Sequence, residues 1–170
     1  MPLAFDPALF HFATDIRVRW PDTDAVGITY NGAFLTFFDV ARVEFRRAVT
    51  AWRSGVSIDH PSVQDRLSED RGVVFTLAST TIDWRAPSRV DNRLRIATRV
   101  GAVGKTSYTH EYIVTRLAGG VVVALGSTVQ VRVDPVTLRP LPFDDEMRAE
   151  LAGFQEALRT GAASFPPRVS

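Results

Sequence analysis

The chain is 170 residues long, 45% hydrophobic and 23% charged, with a formal net charge of +1 and no cysteine. That length fits one domain with a real apolar core, and the near-neutral balance supplies no basic field for a nucleic-acid backbone. The lack of cysteine excludes disulfides, thiolate metal sites and a cysteine nucleophile.

No apolar run approaches the ~18–20 residues of a membrane span. The chain also does not start with a basic region followed by an apolar core, so the expectation is a soluble, cytoplasmic protein. Residues 1–13 read as an irregular lead-in containing Pro2 and Pro7. From Asp15 to Trp20 charged and apolar residues alternate, which predicts a half-buried strand with Ile16, Val18 and Trp20 on one face, stopped by Pro21.

The stretch from Asp22 to Phe34 follows. It holds two carboxylates, Asp22 and Asp24, just before the turn Ala25-Val26-Gly27, and it feeds the longest helical pattern in the chain. Phe34, Phe37, Phe38, Ala41, Phe45, Ala48, Val49 and Trp52 keep helical spacing, with Asp39, Arg42, Arg46 and Arg47 opposite. Asn31 stands where an N-cap belongs and Gly55 where the helix ends. An acid or base, a donor for a developing oxyanion and an apolar wall can meet at such a helix start.

Residues 56–72 are polar and read as a loop with at most one helical turn. The period then changes to two. Val73–Trp84, Arg93–Val100, Ser107–Leu117 and Val121–Val133 are predicted strands, with Tyr108, His110, Tyr112 and Val114 sharing one face of the third. In the last, Val121, Val123, Leu125, Val129, Val131 and Val133 are placed on one side. The short turns between these strands imply antiparallel neighbours, paired in chain order. Phe143–Thr160, opening at Asp144-Asp145, predicts an amphipathic helix, and residues 161–170 a loose tail. One helix against one face of an antiparallel sheet is an α+β layer arrangement, and the Val-rich strands call for a second subunit over the other face.

Three stretches carry a family resemblance: Val18 to Phe34, continued through Phe38-Asp39-Val40-Ala41-Arg42-Val43-Glu44-Phe45, and the later Ile82-Asp83-Trp84-Arg85-Ala86-Pro87 and Val103-Gly104-Lys105-Thr106-Ser107. They resemble the 4-hydroxybenzoyl-CoA thioesterase family of hotdog-fold acyl-CoA thioesterases. The resemblance implies a hotdog fold, an antiparallel sheet of about five strands wrapped around one long central helix, with a short C-terminal helix. Residues 1–170 form a single domain in this reading, with a core over about 14–141 and a C-terminal helix and tail over 142–170.

The activity implied is hydrolysis of an acyl- or aryl-CoA thioester to free acid and CoA, with no cofactor. The family's catalytic aspartate falls on Asp24, as base or nucleophile, and its oxyanion donor on the backbone N–H of Asn31. Trp20, Tyr30 and Gly32 fall around the substrate, and Lys105, Thr106 and Ser107 near the CoA phosphates. A homo-oligomer, a dimer or a tetramer of dimers, completes the sites between subunits. Many relatives of the Tol-Pal cluster type carry a histidine where this chain has Asn31, and a tyrosine where it has Trp20. Asparagine exchanges no proton near neutral pH, so a general-acid role at that position is lost.

The residues by themselves favour plainer roles. Asp24 alone reads as a turn or cap carboxylate, and only the resemblance turns the balance to catalysis. Asp22 reads as a turn residue, Asp39 with Arg42 as a helix ion pair, Glu44 as a second-choice catalytic carboxylate, and His110 as a packed or interface histidine. Gly104 to Ser107 reads as an ordinary hairpin. No histidine pair has metal-ligand spacing, so no metal site is expected. No phosphate-binding glycine loop and no Gly-x-Ser-x-Gly elbow occurs. A hotdog hydratase or dehydratase is the alternative activity, weakened because no histidine lies between residues 20 and 45. A non-catalytic acyl-CoA-binding protein is the other alternative.

Overall fold

A computed structural model describes residues 3–69 and 74–168. Parts of the expected lead-in, polar loop and tail, and Val73 of the first long strand, lie outside the described residues. The strands are β1 (Phe12–Arg17), β2 (Val74–Trp84), β3 (Arg93–Val103), β4 (Ser107–Arg116) and β5 (Val121–Val133), and the helices α1 (Ala33–Ser54), α2 (Pro61–Glu69) and α3 (Asp145–Thr160).

The strands form one sheet in the order β1-β3-β4-β5-β2, every pair antiparallel. This corrects pairing in chain order. β2 is an edge strand against β5, and the connection from Arg85 to Asn92 carries the chain back across the sheet to β3.

α1 lies against the sheet because its apolar stripe matches the inward residues of the strands. Phe34, Phe37, Phe38 and Ala41 pack with Ile16, Val18, Leu94, Ile96, Tyr112 and Val114. Its second half packs with α3 through Phe45, Ala48 and Val49 against Phe154 and Leu158. Gly55, in the left-handed region at φ 65°, ends the helix as expected. Burying a phenylalanine side chain is worth about 1.5–3 kcal/mol, so this stripe is the main attachment of α1 to the sheet.

β5 departs from simple alternation. Val114 pairs with Ala124 but Thr115 with Val122, so β5 carries an extra residue at this point. The bulge exchanges the faces, and Ala124, Gly126, Thr128 and Gln130 are buried while Leu125, Val129 and Val131 are only half-buried. Of the residues expected on one side, Val123 and Val133 are buried, whereas Val121, Leu125, Val129 and Val131 are only half-buried. In β4 the expected face is kept, with Tyr108, His110, Tyr112 and Val114 all buried.

Two segments expected to be irregular are ordered. α2 starts with Pro61, whose missing N–H suits a first helical position, and the His60 ring nitrogen Nδ1 accepts from Ser62 N at 3.2 Å. The tail returns to β1: the Arg168 carbonyl accepts from Asp15 N at 2.6 Å, its guanidinium pairs with Asp59, and Ala163 is buried. α3 begins where expected, its N-cap Asp144 accepting from Met147 N at 2.8 Å.

Candidate active site

The chain leaves β1 through a 3-10 turn, Trp20–Asp22, that Asp22 locks. The Asp22 carboxylate accepts from Arg19 Nε and Nη2, both at 3.0 Å, and from Arg19 N at 2.8 Å. Hydrogen bonding to that guanidinium holds the Asp22 carboxyl below its ordinary value, although burial opposes it. Asp22 is therefore a structural clasp, as its turn reading expected. Trp20 does not share the buried face of Ile16 and Val18: it sits in the 3-10 turn and is 78% exposed.

A bridge between Thr23 and Thr29 closes the loop that carries Asp24. Asp24 N donates to Ile28 O at 2.9 Å and Gly27 N to Asp24 O at 3.0 Å, with Gly27 at φ 78°, which favours glycine. The Asp24 side chain is exposed, and its Oδ1 accepts from Val26 N at 2.9 Å and Ile28 N at 3.3 Å. Those bonds fix the orientation of the carboxylate and employ one oxygen, and no hydrogen bond among the described residues employs Oδ2.

α1 starts one residue later than expected. Gly32, not Asn31, is the N-cap, and no side chain caps the helix. Ala33 N donates to Tyr30 O at 2.9 Å, but Asn31 N and Gly32 N donate to nothing among the described residues. Two adjacent backbone N–H groups are thus presented at the positive end of a 22-residue helix. The Tyr30 ring lies over Gly32, where an added Cβ would come within 2.4 Å of its Cε1.

Beside these amides is a cleft of about 290 Å³ lined by Thr29, Asn31, Phe34, Trp84, Pro87 and Ser88. Its wall is tied together by Thr29 and Ser88, both buried. Thr29 N donates to Ser88 O at 2.7 Å, and the two hydroxyls are 2.6 Å apart. The Asp24 loop is thereby fastened to the connection between β2 and β3. Neither residue, nor Trp84, was singled out for the site from sequence. Their only signal is position after the aromatic end of a strand.

Trp20, Asp24, Tyr30, Asn31 and Gly32 all lie on the segment between β1 and the start of α1, and of these Asn31 lines the cleft. The single chain does not bring Lys105, Thr106 and Ser107 to them. Those three lie in the β3–β4 hairpin, where Gly104 N donates to Ser107 O at 2.7 Å, at the opposite end of the sheet. A strand of this length puts them ~30 Å from the Asp24 loop. Glu44 is ion-paired to Arg47 at 3.6 Å, and Asp39 to Arg42 at 3.1 Å as the helix-pair reading expected. No group of three or more histidine, aspartate or glutamate side chains among the described residues could hold a metal ion, and no described helix is long and apolar enough to cross a membrane.

A family model for the thioesterase-like superfamily matches residues 18–151, and the chain belongs to that superfamily. It is 28% identical over 139 residues to the acyl-CoA thioesterase YbgC of Haemophilus influenzae, covering 81% of this chain and 92% of that protein. It is 27% identical over 139 residues to the acyl-CoA thioester hydrolase YbgC of Escherichia coli O6:H1, covering 82% and 94%. Among solved structures, a Thermus thermophilus thioesterase complexed with coenzyme A and zinc superposes with a TM-score of 0.68 at 22% identity, over 86% of this chain and 96% of that one. A DHNA-CoA thioesterase of Staphylococcus aureus gives 0.69 at 19% identity, over 93% and 97%. The sheet wrapped on α1 is the hotdog fold, and the enzyme class is thioester hydrolase.

Proposed function

We propose that this chain hydrolyses an acyl- or aryl-CoA thioester to the free acid and CoA, at the cleft beside the start of α1, in the cytoplasm. Superfamily membership and the named relatives support the reaction. The observation that carries the reading of the site is the pair of unengaged N–H groups at Asn31 and Gly32, on the same connection to α1 as a carboxylate held in place by its own loop.

In this reading the thioester carbonyl oxygen lies against the Asn31 amide, with Gly32 N beside it. Asp24 either takes a proton from water as the water oxygen adds to the carbonyl carbon, or attacks that carbon itself. Negative charge collects on the carbonyl oxygen, where backbone donors and the helix end stabilise it. The C–S bond then breaks, the electron pair leaves with sulfur, and the thiolate of CoA takes up a proton. The water route gives the free acid directly, whereas the covalent route leaves an Asp24–acyl anhydride that a water then hydrolyses to the free acid and the Asp24 carboxylate. Trp20 and Tyr30, aromatic and exposed in the single chain, wall the substrate arm.

A second copy of the chain belongs to this reading. Lys105, Thr106 and Ser107 are ~30 Å from Asp24 in their own chain, so they serve the CoA phosphates bound by a neighbouring copy in a dimer or a tetramer of dimers.

The test is a thiol-release assay with short, long and aromatic acyl-CoAs. Thiol release is the expected result. Tight CoA binding without release would make the chain a binding protein, and hydration of an unsaturated acyl-CoA without release would make it a hydratase.

A further inference from the structure

A second cavity lies away from the Asp24 cleft, between the C-terminal half of α1, the start of β2, β4 and α3, with a volume of about 90 Å³. At ~10–15 Å³ for each water it has room for several, or for a small organic molecule. Its walls are Phe45, Val49, Phe75, Tyr108 and Leu151, and the same lining includes Arg42, Arg46 and Arg53 against a single acid, Glu150.

His110 also lines this cavity. It is 1% exposed, and neither of its ring nitrogens has a hydrogen-bond partner. Phe45 and Tyr108 meet its ring edge to face, at 5.0 and 5.5 Å between centroids. A phenylalanine would satisfy those contacts without leaving two polar atoms unmet in the interior, where each unmet one is costly. Burial drives the imidazole pKa down to about 3, with the nearby Arg42 charge adding to it. At neutral pH the ring is uncharged, with one nitrogen that donates and one that accepts.

We infer that this cavity binds a small hydroxy acid, its carboxylate held by the guanidinium groups and its hydroxyl exchanging a hydrogen bond with the His110 ring. An uncharged hydroxyl suits a neutral imidazole that is cut off from water, whereas a second charge there would face a large desolvation cost. The apolar walls suit a short carbon chain between the two polar ends. Arg42 is paired with Asp39 at 3.1 Å and Arg53 with Glu150 at 3.3 Å, but a guanidinium has five N–H donors and one partner does not exhaust them. Within one chain the site is ~20 Å along α1 from Asn31, at the end of the sheet that carries the β3–β4 hairpin.

The test is calorimetric titration of the full chain with 4-hydroxybutyrate, 6-hydroxyhexanoate, hexanoate and 1,6-hexanediol, together with ¹⁵N resonances of the His110 ring. At least one hydroxy acid is expected to bind about tenfold tighter than hexanoate and than the diol, each step being about 1.4 kcal/mol, and to shift the ring nitrogens. In His110→Phe the advantage of the hydroxy acid over hexanoate should vanish while hexanoate still binds. Equal affinity for all four compounds, no saturable binding in the millimolar range, or a preference that survives His110→Phe overturns the inference. If His110→Phe does not fold, the ring resonances of the unaltered protein decide, and nitrogens that do not move on saturation overturn it equally.

Discussion

The ring of Phe38 rests on the backbone of Gly126: a Cβ built on that glycine would stand 2.2 Å from the ring Cζ. The ring has no easy retreat, because it is also stacked on Tyr112 at 4.3 Å between centroids and 10° between planes. Gly126→Ala should therefore overpack the core and cost about 1–3 kcal/mol. Adding Phe38→Leu should return part of that loss, measured as the thermal midpoint of the single and double variants. An unchanged midpoint in Gly126→Ala would show that the ring moves freely.

Asp24→Asn is the direct test of the proposed catalytic group. Asparagine keeps an oxygen to accept from Val26 N and Ile28 N, so the loop should persist. It cannot take a proton or attack a carbonyl near neutral pH. Turnover of whichever acyl-CoA serves best should fall about 10²–10⁴-fold, with near-ultraviolet circular dichroism unchanged. Full turnover in the variant would remove Asp24 from the mechanism.

Ser88→Ala takes away the partner of the Thr29 hydroxyl in a buried place. Leaving such a group unmatched should cost about 1–3 kcal/mol in denaturant unfolding. The Asp24 loop is fastened at this point, so kcat/KM should also fall, and Thr29→Val combined with Ser88→Ala should recover stability beyond the single change. A double variant no more stable than Ser88→Ala would show that the hydroxyl contact is unimportant.

His110 should make the fold acid-sensitive in a defined window. Its pKa falls from 6.5 to about 3 on burial, so between those values the unfolded chain binds a proton that the folded chain refuses. Stability from this group is complete above about pH 6.5 and drains away as pH drops toward 3, by up to about 1.4 kcal/mol per unit. His110→Gln, which cannot titrate, should flatten unfolding free energy against pH in that range. An equal slope in both proteins would place the sensitivity elsewhere.

The long helix, its end at Gly55 and the inward face of β4 could be read from residue spacing because each depends on a local period. The order of strands could not, since the partner of β2 is set by where the connection after Trp84 leads. In β5 the shared side breaks at Val123, because an extra residue there interrupts the alternation and a run of valines gives no sign of that. At the candidate site the Asp24 loop was legible through its glycine and its acids. The start of α1 was displaced by one residue, because Gly32 accepts a capping position without any side chain to advertise it. Thr29 and Ser88 are 59 residues apart and touch only once the fold has formed. Lys105 to Ser107 lie at the far end of the sheet from Asp24 within one chain, a separation that spacing along the sequence does not show.

The two borders of the sheet are treated differently. β1 is met at Asp15 by one main-chain bond from the returning tail, whereas β2 has β5 on one side and, among the described residues, no strand on the other. The β2 border is thus the one left open to main-chain pairing along its length. Two molecules meeting at β2 about a twofold axis would consume both of those borders at once, so assembly by that route terminates at a pair.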